Sequence, residues 1–504
     1  MGLSFGERRM RFLRMIAVPW LPLVSAGCGR TSDAIPGSAA SAAQQSAPPF
    51  LVKPCLQWGD SPIWESRSGI QLLWQDEDVE AGWTVEYRPG AAAASPSGAE
   101  WLKADPPVMR RIALQNVPPH RLYRVSLKGL VRGAEFAYRV RKGGDLVFFA
   151  GGHAPTAGDK PYHFVVFGNC GTNTREQRAV AYQTFQAHPD FVLITGDIVY
   201  DRGRISEYRE KFWPIYNAEE ASPTHGAPLL RSTLFLAAPG NHDIGSRDLG
   251  EYPDGLAYFL YWAQPLNGPP GAEGSAHVPV LKGPESHRRA FQEAAGPMYP
   301  RMGNFSFDYG NAHWLVLDAN PYVDWTDRDL RAWVERDLSA ARSATWRFVA
   351  LHQPGFQSAR KHSDEQNMRV LADVFEAEKV DIVFCGHVHN YQRTFPLHFV
   401  PEKRADGKPM RQKELVAGRW SLDKTFDGRS NTRPDGVIYL ATGGGGATLY
   451  NPEQQDDPAS WQDFTTKFIS KVHSLTVAEV DGSTLLVRQV SLEGAELDRF
   501  ITNK

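Results

Sequence analysis

The chain has few cysteines, little net charge and no long apolar run, and each shortage removes a class of protein. Four cysteines, Cys28, Cys55, Cys170 and Cys385, occur in 504 residues, too few for a fold stapled by disulfides. The formal net charge is −2, which argues against a general basic surface for nucleic acid. It leaves room for a small anionic substrate, which needs only local positive charge. The apolar stretch Ile16 to Val24 is too short for a bilayer and is broken by Pro19 and Pro22. A chain this long exceeds what one core usually serves, so two or more domains are expected.

What is present begins with an export signature. Arg8-Arg9-Met10-Arg11 precedes the short apolar run, and Ser25-Ala26-Gly27-Cys28 follows it, giving the parts of a cleavable signal over residues 1–28. Small residues before Cys28 resemble a bacterial lipoprotein cleavage site, although Ser25 stands where leucine is usual. Cys28 is therefore a candidate for lipidation and a membrane tether, and the protein is expected to be exported to the periplasm or cell envelope. Residues 29–49 are mostly Ala, Ser, Gln, Gly and Pro and read as a flexible linker, since they cannot bury enough surface to fold.

From 50 to 157 the pattern is one of short alternating strands, such as Ile70–Trp74, Trp83–Tyr87, Tyr123–Leu127 and Phe136–Val140. Turn residues punctuate them, which predicts an antiparallel β-sandwich. No catalytic cluster falls in it, and its protein partner, if any, is not legible. From 158 to 504 continuous apolar strands alternate with helix-like segments: Phe164–Phe167, Phe191–Ile194, Trp314–Leu317, Phe348–Leu351 and Ile382–Cys385. Strands buried on both faces imply an α/β fold with helices covering a sheet. Two stretches, Asn267–Glu285 and Pro401–Asp435, lack periodicity and read as surface insertions.

Five polar clusters carry ligand chemistry: Gly168-Asn169-Cys170-Gly171, Gly196-Asp197-Ile198-Val199-Tyr200, Gly240-Asn241-His242-Asp243, Leu351-His352-Gln353-Pro354 and Gly386-His387-Val388-His389. Carboxylate, amide, phenol and imidazole make a mixed oxygen and nitrogen set, suited to iron, manganese or zinc. Each cluster alone is a plausible turn. Five in this order, each after an apolar strand or a glycine turn, point to a two-metal site.

These motifs resemble the calcineurin-like metallophosphoesterase superfamily, and the Gly-Asp-x-x-Tyr form resembles its purple acid phosphatases. The resemblance covers roughly Phe50 to Lys504, with the preceding module similar to fibronectin type III, and with Gly443–Gly446 and the strands Ser474–Val477 and Leu485–Gln489 closing the fold. It implies a four-layer α-β-β-α catalytic sandwich holding two metal ions, iron with zinc, manganese or a second iron. Asp197 would bridge them, with Tyr200, His389 and Asn169 on the first and Asn241, His352 and His387 on the second. His242 would be the catalytic acid facing the leaving group, and Asn241, His242 and His362 would contact substrate.

The implied activity is direct hydrolysis of a small phosphoester by a metal-bound hydroxide, without a serine or cysteine nucleophile. Asp243 either orients His242 or caps a turn, and Cys170 either ligates or packs. Asn169 departs from the family, where an aspartate is expected; an amide carries no charge, so the first site should hold its ion less tightly and favour a lower charge. Altered metal preference, weakened turnover and lost turnover all remain open, the last leaving a tethered binding protein. A phosphodiesterase acting on nucleotides or phospholipids would use the same ligands.

Overall fold

Strands with two apolar faces need cover on both sides, and that requirement sets the architecture. The computed structural model describes residues 49–90 and 100–504, and Pro48–Lys504 makes one compact unit. The export signal, Cys28 and all of the linker except Pro49 lie outside the described residues.

Two large sheets stack face to face. One orders its strands Glu496–Asn503, Thr484–Ser491, Ser474–Asp481, Tyr162–Phe167, Phe191–Ile194, Leu234–Ala237, then four strands from the N-terminal region. The other has seven strands, with Ala312–Leu317, Trp346–Leu351, Ile382–Cys385 and Ile438–Thr442 parallel at its centre. Phe164 and Val166 point into the space between the sheets, while Val165 and Phe167 point outward, so one continuous apolar run feeds two cores. Phe164 meets Trp314 edge-on at 5.0 Å and Phe384 at 6.0 Å, joining the sheets through aromatic contacts. The helix Arg175–Gln186 covers the outer face of the first sheet with Val180 and Ala181. The helix Arg328–Ala340 covers the second with Leu330, Val334 and Leu338. The layers are therefore α-β-β-α.

In the N-terminal region Val52–Gln57, Ile70–Glu77, His120–Leu127 and Val108–Ile112 form one layer. The four strands Leu102–Lys103, Trp83–Pro89, Glu135–Lys142 and Asp145–His153 form another. Trp74 stacks on Tyr123 at 5.4 Å and meets Trp83 edge-on at 5.5 Å between them. Gln57 pairs in parallel with Phe235, so this module shares a sheet with the core strands that follow instead of standing apart from them. The stretch Pro401–Asp435 is more ordered than its composition suggests. Leu397–Pro401 pairs with Gly418–Leu422 and Arg411–Gln412 with Leu415–Val416, because Phe399 anchors the hairpin against Phe356. In Asn267–Glu285, Val278 and Leu281 are buried, tying that stretch down as well.

Candidate metal centre

The strands Tyr162–Phe167, Phe191–Ile194, Leu234–Ala237, Trp346–Leu351 and Ile382–Cys385 each end at one of the five polar clusters, and the parallel pairing brings those ends together. Sharp turns aim the side chains inward. Asn169, Asp197 and His387 all take left-handed backbone conformations, with φ of 61°, 51° and 66°, a strain that folded surroundings sustain at functional sites. At Gly240 an added Cβ would fall 2.2 Å from Oδ1 of Asp197, so only glycine lets that carboxylate sit where it does.

Hydrogen bonds on the outer side of each ring fix which nitrogen faces inward. His352 Nδ1 donates to the carbonyl of Thr195 at 2.7 Å, leaving Nε2 as the inward lone pair. His389 Nδ1 donates to the carbonyl of Thr448 at 2.7 Å, again leaving Nε2. His387 is turned the other way: its Nε2 lies 2.7 Å from Oε2 of Glu365, so Nδ1 faces in. Outer partners of this kind set tautomer and aim in metal sites.

The inward atoms form two groups that meet at Asp197. In the second group, Asn241 Oδ1 lies 3.1 Å from His352 Nε2 and 3.0 Å from His387 Nδ1. The two nitrogens are 3.3 Å apart, and His352 Nε2 is 3.3 Å from Asp197 Oδ1. Donors bound about 2.0–2.1 Å from one tetrahedral ion sit roughly 3.3 Å from each other. Four lone-pair donors at this spacing, with outward N–H groups already committed, fit a cation. In the first group, Tyr200 Oη lies 3.1 Å from His389 Nε2, and Asn169 Nδ2 donates to Tyr200 Oη at 2.9 Å and Asp197 Oδ2 at 3.3 Å. Asn169 Oδ1 is buried with no partner, at a cost of about 1–3 kcal/mol. Turning the amide would bring that oxygen to the site, so this group fits a cation as well.

Electrostatics agree. Burial pushes His387 down to about 4 and His389 down to about 3, keeping both rings neutral with a lone pair to offer. Burial works against the Asp197 carboxylate, but the His352 imidazole and then His242 hold it below the usual carboxylate range. Burial also opposes charge on His352, yet the Asp197 carboxylate raises its pKa by favouring a positive charge at Nε2, a place that a bound cation would take from the proton.

His242 stands beside these groups, half-buried, with Nε2 4.0 Å from Asp197 Oδ2. Its Nδ1 donates to the carbonyl of Asp201 at 2.9 Å, which turns Nε2 toward the site. Asp243 does not orient it. The Asp243 carboxylate instead accepts from the backbone N–H groups of Ile198, Val199 and Gly240, bracing the Asp197 turn. Cys170 packs: its buried thiol points to the carbonyls of Ile198 and Asp197, and burial pushes its pKa up. Sequence reasoning missed Glu365 and Tyr450. Glu365 bonds both His387 Nε2 and His362 Nδ1, so it brings His362 to the site edge, with its ring 4.1 Å from that of His387. The Tyr450 ring stacks on His389 at 3.9 Å. Neither residue stands in a motif; only chain folding places them here. The glycines of Gly443–Gly446 run against the first cluster, where a Cβ at Gly443 would meet Asn169 Oδ1 at 2.7 Å.

Residues 162–391 match the calcineurin-like phosphoesterase family. The match takes in somewhat less than half of the chain, with all five polar clusters inside it. Purple acid phosphatase 21 of Arabidopsis thaliana is 24% identical to it over 292 residues, 57% of this chain and 55% of that one. Purple acid phosphatase 1 of Ipomoea batatas is 25% identical over 335 residues, 64% of this chain and 62% of its own length. The chain thus spans about half the length of the first of these relatives. Among solved structures, the purple acid phosphatase PPD1 from yellow lupin superposes with a TM-score of 0.59 at 18% identity, covering 89% of this chain and 74% of that one. PhoD superposes with a TM-score of 0.55 at 12% identity, covering 92% of each. Both share the fold.

Proposed function

We propose that this phosphoesterase domain hydrolyses small phosphoesters at a two-metal centre. The observation that carries the reading is the division of Asp197: Oδ1 faces one complete set of donors and Oδ2 faces another. Asp197, Asn241, His352 and His387 would hold one ion, and Asp197, Asn169, Tyr200 and His389 the other. Such a pair supplies an activated water and neutralises charge on the phosphoryl oxygens. Iron paired with zinc, manganese or iron suits the donors by type.

The protein's own part is positioning and proton delivery. Thr195, Thr448 and Glu365 hold the three ligand imidazoles in one tautomer each. His242 donates a proton from Nε2 to the leaving oxygen, held in place by the Asp201 carbonyl behind it. Asn241, with an amide edge at the site, and His362, steadied by Glu365, contact the substrate phosphate. Export through the signal in residues 1–28, with a lipid on Cys28 as tether, belongs to the same proposal. It rests on sequence and is checked by the mass of the mature N-terminus.

Metal content measured with turnover on the same protein, purified without chelator, tests the central reading. Two ions per chain, with label from ¹⁸O water entering released phosphate, support it. Metal uptake without turnover on either mono-esters or bis-esters would favour the second reading, a binding protein, for which Asn169 is the motivating observation. Relative rates on the two ester types distinguish phosphatase from phosphodiesterase.

A further inference from the structure

The two donor groups are not equivalent, and the difference lies in Asn169. We propose that Asn169 restricts the first site to a divalent ion and makes it the weaker of the two, so that the second site fills first. This rests on the two-metal reading above.

The second group is ready for an ion. Its four inward atoms are lone-pair donors, and the protons on the outer nitrogens are already bonded to Thr195 and Glu365. The first group is closed by its own amide: Asn169 Nδ2 spans Asp197 Oδ2 and Tyr200 Oη, occupying with two N–H groups the space between the atoms that should bind. Admitting an ion there means breaking both hydrogen bonds and turning the amide by half a revolution. The turned amide then contributes an uncharged oxygen. Cation selection follows ligand charge, and the carboxylate that the first group offers is Asp197, which it shares.

Among the described residues, the acids and the thiol near the site are committed elsewhere. Asp243 is engaged by three backbone N–H groups on the far side of the turn. Glu365 sits behind His387, on the side of the second site. The Cys170 thiol points away, into the core behind the Asp197 turn. A trivalent ion would thus meet a shared carboxylate, a phenol and two neutral donors, one anionic group fewer than an aspartate at 169 would give.

Stepwise metal titration of the whole protein, with visible absorption and iron oxidation state read on the same samples, tests this. The expected result is a colourless protein that binds zinc or manganese in two steps at least 10-fold apart in affinity. Asn169→Asp, which tolerates the same left-handed backbone, should take ferric iron and gain a broad visible band from the Tyr200 phenolate. Adding Tyr200→Phe to it should remove the band. Wild-type protein holding one ferric ion per chain with that band, or binding two divalent ions with equal affinity, would overturn the inference while leaving the two-metal reading intact. Uptake of one ion or none by wild type and Asn169→Asp alike would sink both. The wild-type titration needs no variant, so a poorly folding substitution does not obscure the answer.

Discussion

Glu365 Oε2 accepts from His387 Nε2 at 2.7 Å, and this one contact decides which nitrogen of His387 faces Asn241. The other two inward imidazoles, His352 and His389, present Nε2, whereas His387 presents Nδ1 because its outer partner is a carboxylate reached from a different loop.

Removing that partner should loosen the second site without unfolding the protein. Glu365→Ala is expected to weaken metal binding there by about 10–100-fold, the usual range for an outer partner of a ligand. Competition against a chelator of known affinity measures it. Unchanged affinity would mean that ring packing alone orients His387.

The acid role proposed for His242 predicts a dependence on the leaving group. His242→Ala should slow alkyl phosphates by about 10²–10⁴-fold while sparing activated aryl esters, whose leaving oxygen needs no proton. Metal content should be unchanged, since His242 lies outside both donor groups. Equal losses on both substrate types would rule the acid role out.

Gly240 offers a test of the bridging carboxylate. In Gly240→Ala the new Cβ lies 2.1 Å from the Asp197 backbone nitrogen and 2.2 Å from its Oδ1, so the bridge must move. Both ions should be lost together, with a modest fall in thermal midpoint. Retention of either ion at wild-type affinity would contradict the bridging assignment.

A pH effect far from the metal centre follows from His313. Burial opposes its charge, but Asp308 at 2.7 Å and Asp337 at 2.9 Å hold the ring protonated, with its pKa pushed up to about 9. Because the folded value lies above the unfolded value of about 6.5, the stabilisation is fully present below pH 6.5 and is lost as pH rises through 9. The contribution is on the order of 3 kcal/mol at most. Urea unfolding at pH 6, 7.5 and 9 should show the decline in wild type and a flatter profile in His313→Gln. Parallel profiles would refute it.

Much of the core was legible because its strands are short and continuously apolar. Phe191–Ile194 and Ile382–Cys385 occur with the bounds that their composition suggests, since no polar residue interrupts them and turn residues flank them. The five clusters were legible for the same reason: glycine and polar residues follow a buried strand directly. Glu365 and Tyr450 gave no such signal. Their neighbours are surface-like, and they reach the site only because the loop after Trp346–Leu351 and the loop after Ile438–Thr442 fold over it. The hairpins in Pro401–Asp435 were hidden too: Arg411–Gln412 and Leu415–Val416 are two-residue strands with no period to read, and Gly418–Leu422 shows no buried alternation.

The sequence by itself determined the donor types of the candidate site, their order and the uncharged amide at position 169, because these are properties of covalent identity that no folding alters. Only the tertiary structure decided that Asp197 divides its two oxygens between two groups, which nitrogen each histidine presents, and that Asp243 braces a turn while the Asp201 carbonyl orients His242. These arrangements are fixed by where packed sheets bring strand ends together and by which hydrogen bonds lie behind each side chain.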